Sequence, residues 1–293
     1  MAVLPGALDA LRERAGELLF ERVAGPDGPR NRDAIHNTPG PRWFPQDSPV
    51  RRVHGDSAMF VGGLSALLLQ SLHPVAMAAV SAHSGFRGDP WGRLQRTSTF
   101  LATTTYGTAE DARSACERVK GVHARIRGVT DEGVPYRASD PHLLEWVHVA
   151  ETESFLRAHQ RFGSQPLTES ECSRYVAETA RIAEALGVIS PPRSTQALRA
   201  RLEEYRAELR CTPQARETTR YLLLRPPIPV LALPFYAALA ANAVAVLPRW
   251  ATDELGLPRW GPGERWVLMP AGRAATGLIG WAMRGLEDAK RPD

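Results

Sequence analysis

The chain has 293 residues, 43% of them apolar, and a formal charge of +4 carried by 34 Arg and 2 Lys against 32 acidic residues. That length buries a substantial core, and because no window carries a run of bases, the Arg excess does not make a nucleic-acid arm and no nucleic-acid partner is expected. Cys116, Cys172 and Cys211 are odd in number, widely spaced and free of any C-x-x-C pair, so neither a zinc knuckle nor a redox switch is indicated and a reduced, cytoplasmic chain is expected.

In chain order, "MAVLPGALDALRERAGELLF" interrupts its apolar residues with Asp9, Arg12, Glu13, Arg14 and Glu17. It reads as an amphipathic helix over 5–24 and not as a signal peptide. The clusters "GPDGPRNRD" and "NTPGPRWFPQDSP" read as connections. Helical periodicity then predicts helices over 57–71, 74–83, 90–106, 109–127, 141–161, 168–186, 194–210, 212–223, 234–246 and 269–288, with "ISPPRS" and "LPRWGPGERW" as further breaks. No run alternates as a strand would. The expected fold is all-α, one continuous helical domain over 1–293. Residues 228–247, "IPVLALPFYAALAANAVAVL", are just long enough to span a bilayer. Pro229, Pro234 and Asn242 favour a buried helix starting near Pro234, with peripheral membrane contact as the remaining alternative.

Two adjacent helices carry the chemistry. In "DPWGRLQRTSTF", Asp89 is a good N-cap and Pro90 suits the first helical position. Arg93, Arg96 and Thr97 then fall on one side of the first turns. The helix is rich in threonine up to Gly107, a poor intrinsic former that packing must hold, and so is expected to be buried. In the next helix Thr108 and Asp111 make a capping box, and Ala112, Cys116, Val119, His123 and Ile126 share a stripe. A tight antiparallel hairpin about Gly107 sets Arg93 nearly level with His123. A neutral imidazole and a guanidinium then face one ligand as metal ligand and anion clamp, the arrangement a haem needs. The spacing alone favours the plainer reading, a hydrogen-bonded core histidine and an Arg in an internal ion pair.

Other histidines have local readings. Glu145 and His148 form an E-x-x-H on a helix capped by Asp140, but no second E-x-x-H exists to complete a di-iron site, which leaves His148 as a pocket-wall residue and reserve haem ligand. His73 and His83 sit near helix ends, where they tie down backbone groups. His83 is also within range of a distal pocket just before the Arg93 helix. His36, His54, His142 and His159 fall in loop-like or exposed settings. With no G-x-S-x-G elbow and no G-x-G-x-x-G after a strand, neither a hydrolase triad nor a nicotinamide or flavin site is expected.

The stretch "LLLQSLHPVAMAAVSAHSGFRGDPWGRLQRTSTF", with "VKGVHARIRGV", "YRASDPHLLEWVHVA" and a distant "LPRW", resembles the DUF2236 family, also called the MpaB/rubber-oxygenase catalytic domain family, over about residues 55–250. The resemblance implies a globin-like helical fold holding a b-type haem. It makes His123 the proximal iron ligand, and Arg93 and Thr97 the haem-supporting R-x-x-x-T pair. Arg96 stands where latex-clearing members have a Lys able to ligate iron, and a guanidinium offers iron no free lone pair. "MAAVSAH" likewise lacks the glutamate base of those enzymes, so rubber cleavage itself is not expected.

The function implied is that of a haem b-dependent oxygenase acting on a small apolar or aromatic metabolite with oxygen or peroxide, in natural-product biosynthesis among other settings. Arg96 and His83 are the candidates for the reacting side, and Arg93, Thr97, His123 and His148 for holding the cofactor. The alternatives are a non-catalytic carrier of haem or a lipophilic ligand, and an inert family member acting as an interaction partner.

Overall fold

The computed structural model describes residues 5–83, 88–258, 261 and 264–288. Its helices are α1 (Pro5–Ala24), α2 (Gly28–Asn37), α3 (Pro49–His54), α4 (Met59–Gln70), α5 (Pro74–His83), α6 (Pro90–Tyr106), α7 (Ala109–His123), α8 (Pro141–Phe162), α9 (Glu169–Leu186), α10 (Thr195–Tyr205), α11 (Pro213–Leu224), α12 (Leu233–Val246), α13 (Arg249–Glu254) and α14 (Met269–Asp288). A 3-10 turn over Val230–Ala232 precedes α12, and a π-helical turn over Glu264–Leu268 precedes α14. The all-α expectation holds apart from one two-stranded antiparallel hairpin, β1 (Arg127–Val129) with β2 (Pro135–Arg137), in which Gly128 faces Tyr136.

The other helices are arranged around α8. Asp140 accepts the His142 N–H at 2.9 Å and Pro141 occupies the first turn, so the start of α8 is capped by its own sequence. Trp146, Val149, Ala150, Phe155, Leu156, Ala158 and Phe162 are all buried. An apolar α4 lies along α8, and Gly62 allows this approach: a Cβ there would stand 3.0 Å from Phe155 Cδ1 and 3.2 Å from its Cα. α9 and α10 pack beside α8 around Tyr175, Leu198 and Tyr205. A second cluster joins α4 and the end of α8 to α12 and α14 through Phe162, Leu239, Ala243 and Ile279.

α6 and α7 form the expected hairpin. Gly107 is not left-handed, however, and its backbone is extended. Glycine is required there because a Cβ would meet the Thr103 carbonyl oxygen at 2.6 Å. The threonine helix is buried only in its last turn, at Thr103, Thr104 and Thr105, while Thr97 is exposed. Thr103 and Thr104 donate their hydroxyls back to the Thr99 and Phe100 carbonyls, which spares these buried groups an outside partner.

Other boundaries differ from the sequence reading. α7 ends at His123 and the chain turns into β1, so Ile126 packs beneath the hairpin with Tyr136 and Leu143. The cluster "GPDGPRNRD" contains the start of α2, with its proline in the first turn. Short α3 and α13 lie in stretches for which the sequence reading expects no helix. "LPRWGPGERW" falls partly outside the described residues.

Among the described residues no single helix is long and apolar enough to cross a membrane; the bent pair α4 and α5 would do so by length and composition only. The 228–247 segment divides: Leu239, Asn242, Ala243 and Val246 are buried, whereas Val230 and Leu231 are exposed.

Candidate active site

Leu144, His148, Glu151 and Phe155 recur along α8 at steps of four, three and four, which places them on one stripe. At one end Leu144 and His123 line the same cavity of about 400 Å³, closed by Ser139 and Leu186. At the other, Phe155 meets the His54 ring edge-on, with centroids 5.7 Å apart. His54 in turn lies edge-on to Tyr175 at 6.0 Å, and its Nδ1 is 2.8 Å from Thr105 Oγ1 at the end of α6. His148 and Glu151 occupy the middle of this run. Both are partly exposed.

The polar atoms along the run lack protein partners. Among the described residues, His54 Nε2, His148 Nε2, His123 Nδ1 and Tyr175 Oη are buried without a hydrogen bond. His148 Nδ1 has only a long contact, 3.4 Å, to Thr152 Oγ1. Buried polar atoms in folded proteins are almost always paired, so these four, on α3, α7, α8 and α9, are open to a partner from a bound group.

Burial also sets the charge state. It pushes the His54 and His148 imidazoles down to about 4 and lowers His123. It raises the Glu151 carboxyl to about 7 and the Tyr175 hydroxyl well above its ordinary value, with the Glu151 charge adding to the latter. Near neutral pH the imidazoles are therefore uncharged, with a lone pair available to a metal. The Glu151 carboxyl can both hold and release a proton.

The residues singled out from sequence divide into two groups. His123 shares a cavity with Leu144, and His148 lies one turn on from Leu144 along α8. Arg93 is half-buried at the start of α6; burial first, and the Arg96 charge second, lower its pKa. Thr97 lies one turn on. Arg96 instead is exposed and pairs with Asp89 at 3.3 Å, and His83 is bonded through Nε2 to Tyr136 Oη at 3.2 Å. Glu145 turns to α10, where its Oε2 accepts from Arg201 at 2.8 Å, so it shares no ligand with His148.

Two histidines read as loop-like or exposed prove otherwise. His54 is the half-buried partner of Thr105, and His159 is buried on α8 with both ring nitrogens unpartnered. His54, Glu151 and Tyr175 were not anticipated; the signal within reach was the spacing that puts a Glu and a His into the stripe of Leu144 and Phe155. The largest cavity among those described, about 750 Å³, opens on another face of α8 at Arg157 and Arg161 and contains none of these groups.

Residues 51–281 match the family described as ER-bound oxygenase mpaB/B'/rubber oxygenase, catalytic domain, and the chain belongs to that family. The fold is thus an oxygenase catalytic domain. No curated protein and no solved structure matches the chain.

Proposed function

We propose that the protein is a haem b-dependent oxygenase acting on a small apolar or aromatic substrate. The observation that carries the reading is a pair of neutral imidazoles, His123 and His148, each with one buried ring nitrogen that lacks a hydrogen bond, in a chain from an oxygenase family. Their donor chemistry fits a haem, since a neutral imidazole nitrogen is the usual protein ligand to its iron. In this reading His123 would hold the haem iron. Arg93 keeps its positive charge for a propionate, because a guanidinium stays protonated at any accessible pH, and Thr97 offers a hydroxyl one turn away.

When bound, the haem supplies the activation of oxygen or peroxide. The chain supplies the surroundings. Phe155 and Leu144 contribute apolar surface at the two ends of the run. Glu151, poised near neutrality, takes or gives a proton at its carboxyl oxygen. His148 lines the wall beside it.

The test is catalysis by the haem-loaded protein on a panel of apolar and aromatic compounds under isotopically labelled oxygen. Label in a product supports the reading. A protein that binds haem and yet transfers no label to any member of the panel is a carrier instead. One that takes up no haemin overturns both.

A further inference from the structure

A second group of donor atoms lies on a different face of α8. His73 precedes α5, His142 is in the first turn of α8, and Glu208 lies between α10 and α11. Their ligand atoms all fall within 4.8 Å of one another. His142 Nε2 is 2.9 Å from both Glu208 carboxylate oxygens, and His73 Nε2 is 3.5 Å from Oε2.

An exposed His142–Glu208 contact alone would be an ordinary surface hydrogen bond. His73 makes it something else. This side chain is buried, yet its Nε2 has no hydrogen bond of acceptable geometry and points at the carboxylate. Its Nδ1 has only a long contact, 3.4 Å, to the Ala76 N–H, and that contact is given up in the tautomer that holds the proton on Nδ1 and frees the Nε2 lone pair. In that tautomer the buried Nε2 faces a carboxylate and a second imidazole as a metal ligand would.

We infer that His73, His142 and Glu208 form a binding site for a divalent first-row transition-metal ion of the zinc type, with solvent completing the shell on the exposed side. A tetrahedral zinc ion with bonds of about 2.0–2.1 Å sets its ligand atoms about 3.3 Å apart, close to the separations of these groups from Glu208. The surroundings fit as well. His142 Nδ1 lies 3.3 Å from Tyr205 Oη, and Tyr205 donates its own proton to the His142 carbonyl at 2.8 Å. The phenol oxygen is thereby free to accept the Nδ1 proton and leave the Nε2 lone pair to the metal, the outer-shell contact that orients ligating histidines. Two neutral imidazoles and one carboxylate make a nitrogen-rich donor set that suits zinc, cobalt or iron(II) over magnesium or calcium. The ion would tie the starts of α5 and α8 to the segment after α10.

Chelator-treated wild-type protein, Glu208→Gln and His142→Gln are titrated with Zn2+ and separately with Co2+, following heat, visible difference spectra and melting temperature. Both substituted residues are exposed, so the variants should fold, and circular dichroism checks this. The site predicts one more saturable Zn2+ in the wild type than in either variant, cobalt d–d bands that both variants lose, and a Zn2+-induced rise in melting temperature confined to the wild type. Equal uptake by all three proteins, or no saturable uptake by the wild type, overturns it. Haem binding does not enter these readouts, so they stand or fall independently of the oxygenase reading.

Discussion

The Arg96 guanidinium lies 3.3 Å from the carboxylate of Asp89, the residue that caps its own helix by accepting the Gly92 N–H at 2.8 Å. The basic residue at the family's lysine position is therefore directed back to the start of α6 and is exposed. An exposed ion pair contributes at most about 1 kcal/mol, whereas loss of an N-cap costs about 0.5–2 kcal/mol. Asp89→Ala should accordingly destabilise the fold more than Arg96→Ala in denaturant unfolding, and Arg96→Ala should leave the haem spectrum of the wild type unchanged. A shift in that spectrum on Arg96→Ala would place the side chain against the cofactor instead.

Glu151 sets a second expectation. Its carboxyl is raised from the ordinary 4.5 to about 7 by burial. Between these values the unfolded chain has released the proton that the folded chain still holds, so this group's contribution to stability falls as pH rises from 4.5 to 7 and stays low above that. Glu151→Gln should therefore stabilise the cofactor-free protein on the order of 3 kcal/mol above pH 7 and leave it little changed near pH 4. Melting curves across that range check it, and a difference independent of pH contradicts the assignment of the burden to ionisation.

Glu171 should behave in the opposite sense. Its carboxylate accepts the Thr168 N–H at 2.8 Å, closing the capping box of α9, and meets Arg52 at 2.8 Å. The Thr168 backbone and then Arg52 hold it down to about 2. The stability it contributes is complete above its ordinary 4.5 and is lost as pH falls from there towards 2. The gap in melting temperature between wild type and Glu171→Gln should close over that interval, and a gap that persists at its lower end would show a purely steric effect.

Gly62 tests the seating of α4 on α8. A methyl group there meets Phe155 side chain and backbone together, and backbone cannot rotate away. Gly62→Ala should cost about 1–3 kcal/mol, the range for overpacking a closed contact, in spite of alanine's better helix propensity. Denaturant unfolding measures it; a stabilised variant would mean that the two helices separate freely.

The sequence carried the long helices well and the cleft poorly, for identifiable reasons. α5, α6 and α14 begin and end where capping residues and breakers place them. α2 went unread because its first-turn proline sits in a cluster of turn residues, and three-residue strands such as β1 and β2 are too short to show alternation. Arg93, Thr97 and His123 were legible as local spacing on one hairpin. His54, Glu151 and Tyr175 were not, because each belongs to a different helix and only long-range packing makes neighbours of them. Glu151 in particular sits in "AETESF", where a carboxylate usually faces water. The same holds for His73, His142 and Glu208, which come from three separate parts of the chain.

The most direct test of the oxygenase reading compares the absorption spectra of wild type, His123→Ala and His148→Ala after reconstitution with haemin. The wild type should bind about one non-covalent haem, since the sequence has no C-x-x-C-H attachment motif, in a water-bound or five-coordinate high-spin ferric state. His123→Ala should lose the haem or change its axial ligand, while His148→Ala keeps the wild-type spectrum. A wild-type protein that stays colourless and takes up no haemin would contradict the haem assignment outright, and the reverse behaviour of the two variants would move the axial ligand from α7 to α8.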